Sequence, residues 1–108
     1  MKTILVTGAT SGFGKGLVSS LLKEGHNVIA SGRNLTTRKE ILASERATFG
    51  NKLTEIDLDV TSSTDLNSVE SMFRDRPLDV LINNAGYGVF GPAETCSEEK
   101  LRKQFEVN

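Results

Sequence analysis

Residues Thr3–Leu17 read TILVTGATSGFGKGL: a short apolar run, then three glycines among small residues, then a return to helix formers. A four-residue run bounded by turn residues has the length of a buried strand, so Thr3–Val6 is predicted as the first strand. From about Gly12 to Glu24 the period becomes helical, with Phe13, Leu17, Val18, Leu21 and Leu22 on one face and Gly25 as the stop. Gly8, Gly12 and Gly14 lack a Cβ, so the intervening turn can be tight. A pyrophosphate can then approach its backbone, facing the amides at the helix N-terminus. The spacing is neither G-x-G-x-x-G nor a P-loop, and the loop alone also admits reading as a packing turn between a strand and a helix.

Working outward, the same alternation repeats. NVIAS (Asn27–Ser31) and LTEIDL (Leu53–Leu58) read as strands, as does Asp79–Asn83. Helical patterns fall around Thr37–Phe49 and over Ser63–Asp75, the latter with Leu66, Val69 and Phe73 on one face. A last helix starts near Thr95 to Ser97 and runs to the final residue. Strands alternating with helices require parallel pairing through crossovers. The fold class expected is therefore α/β, a partial Rossmann doubly wound parallel sheet of about four strands in the order 3-2-1-4, with helices on both faces. The switch point, where such folds bind ligands, lies between strands 1 and 4, above the glycine loop.

Composition excludes other classes. The 108 residues are 37% hydrophobic and 25% charged, with 13 basic and 14 acidic side chains giving a net charge of −1. That balance offers no electrostatic case for nucleic acid or an anionic membrane. The N-terminal apolar run is too short for a signal peptide or a membrane span, so a cytoplasmic location is expected. The single cysteine, Cys96, and the single histidine, His26, leave neither an internal disulfide nor a histidine-based metal site or Ser-His-Asp triad within these residues.

Three further stretches bear on the glycine loop. After strand 2 a dinucleotide site usually carries a carboxylate for the adenosine ribose, but here the sequence is ASGRN: Gly32 takes that place and Arg33 follows. Arginine suits a 2′-phosphate, and the missing carboxylate removes a repulsion, so NADP (NADPH) is favoured over NAD. At the end of strand 4, NNAGYG places Asn83, Asn84, Ala85 and Gly86 beside the loop, small enough for a flat ring or ribose to lie against. Asp59, after strand 3, either accepts from an adenine amine or caps the next helix, a role for which Ser62, Ser63 and Thr64 compete.

With TGATSGFG, SGRN, DLDV and NNAGYG in this order, the chain resembles the N-terminal half of a short-chain dehydrogenase/reductase over essentially all of its length. The resemblance implies that Gly8, Gly12 and Gly14 form the pyrophosphate loop, with Ser11 and Phe13 at its tip. It implies Arg33 and Asn34 at the 2′-phosphate, Asp59 and Val60 at adenine, and Asn83, Ala85 and Gly86 at the adenine-side ribose. Ser11 departs from a second NADP marker of the family, a basic residue before the second glycine, so that preference rests on Arg33. Leu101, Phe105 and Asn108 share one helical face, and FEVN matches the family motif whose asparagine belongs to the catalytic set. Asn108 is thus the expected catalytic residue, in a relay through water.

The catalytic serine and the Tyr-x-x-x-Lys helix of the family have no counterpart here, since the only tyrosine, Tyr87, is followed four residues on by Gly91. Residues 1–108 are accordingly expected to be the NADP-binding half of a single domain, catalytically incomplete, cut from a parent that acts on a small-molecule carbonyl or alcohol. That parent is expected to be a homo-oligomer. The alternative is a non-catalytic dinucleotide-binding or sensing module. In the dehydrogenase reading, Tyr87, Val89 and Phe90 lie past the switch point, toward the nicotinamide side or the substrate.

Overall fold

The computed structural model describes residues 1–10 and 12–84. Four strands, β1 (Thr3–Val6), β2 (Asn27–Gly32), β3 (Leu53–Asp57) and β4 (Val80–Ile82), alternate with helices α1 (Gly12–Lys23), α2 (Ala43–Phe49) and α3 (Ser63–Met72). All strands are parallel and lie in the order β3-β2-β1-β4, the doubly wound order expected. Thr3 to Val6 pair with Asn27 to Ala30, and Ile4 to Val6 with Val80 to Ile82.

The period-2 alternation of the strands sorts side chains between two faces. Ile4, Val6, Val28 and Ala30 pack on one face with Val18 and Leu22 of α1 and with Leu35 and Leu42, forming the main core. Leu5 and Ile29 are buried on the opposite face. The connection from β3 to β4, which contains α3, returns the chain past β2 and β1 to the other side of the sheet order. No residue of α3 is buried and Leu66 is 47% exposed, so its apolar stripe contributes little to the core of the described residues. Ser62 caps this helix by accepting from the Asp65 amide at 3.2 Å, which resolves the competition for that role.

Two local expectations differ from the structure. Phe13 is 76% exposed, because the buried stripe of α1 runs through Gly14, Val18 and Leu22, one residue further on. Between Thr37 and Phe49 only Ala43–Phe49 is α-helical. The chain first makes a 3-10 turn at Leu35–Thr37, with Asn34 left-handed at φ 55°. Leu35 and Leu42 are both fully buried and anchor the folded loop between them. The predicted final helix lies outside the described residues.

Candidate functional site

The loop leaving β1 is stitched to the strands on both sides. Thr7 donates its amide to the Ile82 carbonyl at 3.1 Å, and its hydroxyl accepts from the Asn84 amide at 2.9 Å. Ala9 donates to the Ser31 carbonyl of β2 at 2.9 Å. Asn84 Nδ2 donates to the Gly8 carbonyl at 3.2 Å, and this acceptor is held by a donor instead of facing the loop's open side.

Each glycine has a different reason to be there. Gly8 and Gly12 have φ of 67° and 59°, in the left-handed region that side chains disfavour. Gly14 is buried, and a Cβ on it would overlap the Gly8 carbonyl oxygen and stand 2.5 Å from Asn84 Nδ2. At Gly12 nothing among the described residues lies within 4 Å of the equivalent position. The loop is therefore closed on its inner side at Gly14 and open on its outer side at Gly12, where α1 begins. An open, Cβ-free cradle at a helix N-terminus fits an anion, and the residues present fit a dinucleotide pyrophosphate. Phe13 stands exposed beside it.

At the end of β2, Gly32 is buried and a Cβ there would meet Thr10 Cγ2 at 2.6 Å, so any larger residue must displace Thr10. Arg33 and Asn34 follow, both exposed. The Arg33 guanidinium makes no ion pair or hydrogen bond among the described residues. Its backbone is held more firmly: the Arg38 guanidinium donates to the Arg33 carbonyl at 3.2 Å, and Leu58 donates to the Gly32 carbonyl at 3.0 Å.

The end of β3 supplies two carboxylates. Asp57 accepts from the Thr36 amide at 2.9 Å and the Thr36 hydroxyl at 2.6 Å. The hydroxyl bond first, then the amide bond, hold its pKa below the usual carboxylate range. Asp59, half-buried, accepts from the amide and hydroxyl of Thr61 at 2.9 and 2.7 Å, which folds its carboxylate into its own turn. Val60 is half-buried next to it.

Gly8, Gly12, Gly14, Arg33, Asn34, Asp59, Val60 and Asn83 thus all lie at the carboxyl ends of the four strands. Ser11, Ala85, Gly86 and Asn108 lie outside the described residues, as do Tyr87, Val89 and Phe90. Of the two amides after β4, Asn83 is exposed and it is Asn84 that reaches the glycine loop. Thr7, Thr10, Thr36 and Asp57 are further participants that the sequence patterns did not single out. Only the position of Thr7, a polar residue between a strand and a glycine turn, could have signalled one of them. No group of three or more His, Cys, Asp or Glu side chains that could hold a metal occurs among the described residues.

Comparison with known proteins agrees with this layout. The short-chain dehydrogenase family model matches residues 2–108. An uncharacterized oxidoreductase of Schizosaccharomyces pombe is 39% identical over 98% of this chain and 34% of its own length. The NADP-dependent 3-hydroxy acid dehydrogenase of Escherichia coli K12 is 34% identical over 97% of this chain and 42% of its own. A crystal structure of a short-chain dehydrogenase from Streptomyces avermitilis superposes with a TM-score of 0.85 at 36% identity, covering 99% of this chain and 39% of that one. The chain thus spans well under half the length of these relatives.

Proposed function

The chain belongs to the short-chain dehydrogenase family, and on that premise we propose that residues 1–108 are the cofactor-binding half of an NADP(H)-dependent oxidoreductase. Its substrate would be a small-molecule carbonyl or secondary alcohol. The observation that carries this reading is the glycine loop, closed at Gly14 by Gly8 and Asn84 and open at Gly12.

NADP(H), when bound, supplies or receives the hydride, and this chain's residues bind and orient it. The amides around Gly8, Gly12 and Gly14 hold the pyrophosphate, with Ser11 and Phe13 at the rim. Arg33 and Asn34 hold the 2′-phosphate, Asp59 and Val60 the adenine, and Asn83, Ala85 and Gly86 the ribose. Asn108 organises the water of a proton relay. The preference for NADP rests on the Arg33 guanidinium, unpaired among the described residues, on the buried Gly32 in place of a carboxylate, and on the NADP dependence of the Escherichia coli relative. Without a Tyr-x-x-x-Lys pair, residues 1–108 bind cofactor and do not turn over substrate. The parent is read as a cytoplasmic homo-oligomer. Among the described residues no helix is long and apolar enough to cross a membrane.

Titration of the purified protein with NADPH and NADH tests this reading. Saturable binding, at least about tenfold tighter for NADPH, is expected, and Arg33→Ala should remove that advantage while leaving NADH binding unchanged. Equal affinities for the two would overturn the NADP assignment. Binding of neither would overturn the dinucleotide site itself.

A further inference from the structure

We propose that Asp57, at the end of β3, is a positioning residue for phosphate recognition: it clamps the turn of residues 33–38 so that Arg33 and Asn34 are presented at the end of β2. The inference rests on the NADP reading above and adds to it a residue that would touch no part of the cofactor.

The turn has few ways to hold itself. Its only fully buried side chain is Leu35, while Arg33, Asn34, Thr36, Thr37 and Arg38 are all exposed. Asn34 sits at φ 55° and ψ 27°, a conformation that disfavours asparagine less than most residues but still needs support from its surroundings. Internal bonds give some of that support, since the amide and hydroxyl of Thr37 both donate to the Asn34 carbonyl, at 3.3 and 2.9 Å. These bonds close the turn on itself without fixing it to the sheet. Besides the Leu58 bond to Gly32, the turn is tethered to β3 through Asp57, which receives two donors from Thr36 at 2.9 and 2.6 Å.

A carboxylate meeting an amide and a hydroxyl of one residue is a two-point grip, which restricts rotation as well as translation. Thr36 is three residues from Arg33, so the grip sets where the Arg33 backbone lies. A flexible arginine on a wandering turn would pay ordering entropy on meeting a phosphate, and a held one has part of it removed beforehand. An opposing effect has the opposite sign. Asp57 is an exposed anion near the proposed phosphate position, so if simple repulsion dominated, removing its charge would tighten NADPH binding.

Substitution separates the two. Asparagine at 57 is isosteric, keeps an acceptor for the Thr36 amide and offers a donor to the Thr36 hydroxyl, but carries no charge. Alanine removes both. For a clamp, Asp57→Ala should weaken NADPH binding about tenfold and Thr36→Val about threefold, whereas Asp57→Asn should recover most of the wild-type affinity. Binding of NADH, which lacks the 2′-phosphate, should change less than about twofold in all three, with thermal unfolding verifying that each variant is folded. Tighter NADPH binding by Asp57→Ala, or equal loss of NADPH and NADH affinity, overturns the clamp while leaving the cofactor site standing. Failure of the wild-type protein to bind NADPH overturns both.

Discussion

Replacing Gly14 by alanine should destabilise the protein, although alanine is the better helix former. The added Cβ overlaps the Gly8 carbonyl oxygen and stands 2.5 Å from Asn84 Nδ2 and 2.9 Å from the Gly8 carbonyl carbon. Two of these three atoms are backbone of a loop already bonded to its neighbours, so it cannot yield without disturbing them. Overpacking of this kind costs about 1–3 kcal/mol. Displacing Asn84 from Gly8 removes a hydrogen bond with a net contribution of about 1 kcal/mol. Against this, alanine gains at most about 1 kcal/mol over glycine in a helix. The net expectation is a loss of about 2 kcal/mol, up to thirtyfold in the folded-to-unfolded ratio. Gly16, in the same helix, is the internal control: nothing among the described residues lies within 4 Å of its Cβ position and its φ is not positive, so Gly16→Ala should stabilise by about 0.5–1 kcal/mol. Urea unfolding of both variants reads the difference directly. Effects of the same sign, or a Gly14→Ala loss below about 0.5 kcal/mol, would refute the account of how the loop closes.

Three further outcomes are expected. Gly12→Ala meets no steric neighbour among the described residues, so its stability should fall only by the roughly 1–2 kcal/mol of a left-handed alanine, while NADPH titration should show about a tenfold or greater loss of affinity because the methyl enters the open cradle. Thr7→Val keeps the shape but strips the Asn84 amide of its acceptor, and urea unfolding should register about 1–3 kcal/mol of destabilisation. Folding lowers the pKa of Asp57, so the stability its bonds contribute is present above the unfolded value of about 3.9 and is lost as pH falls through the lower folded value. The stability gap between wild type and Asp57→Ala should therefore stay constant from pH 5 to 8 and narrow below about pH 4, as followed by denaturant unfolding across that range.

The strand order and the glycine loop could be read from the chain because their signals are local: short apolar runs, a switch of period from 2 to 3.6, and glycines where the backbone must turn. The start of the second helix could not, since residues 37–42 read as helical while Leu42 is buried for a packing reason that only the folded loop reveals. Phe13 misleads similarly: it is as apolar as Val18 and Leu22, but Gly14, with no side chain at all, is the residue the stripe passes through. The Asp57 grip on Thr36 joins positions 21 residues apart, and Asn84 reaches Gly8 across 76. Neither spacing belongs to any local pattern, so a carboxylate in a strand and an amide in a turn carry no mark of their partners.

The Gly8–Asn84 bond also bears on the order of events during folding. β1 finds β2 across a short connection, but the loop that follows β1 is completed only by residues from beyond β4. Closing so long a stretch of chain is entropically slow compared with the local β1-α1-β2 unit. The β2 side of the glycine loop, where Ala9 donates to the Ser31 carbonyl, can therefore form within that unit, whereas its β4 side, at Thr7 and Gly8, is completed only after β4 has docked.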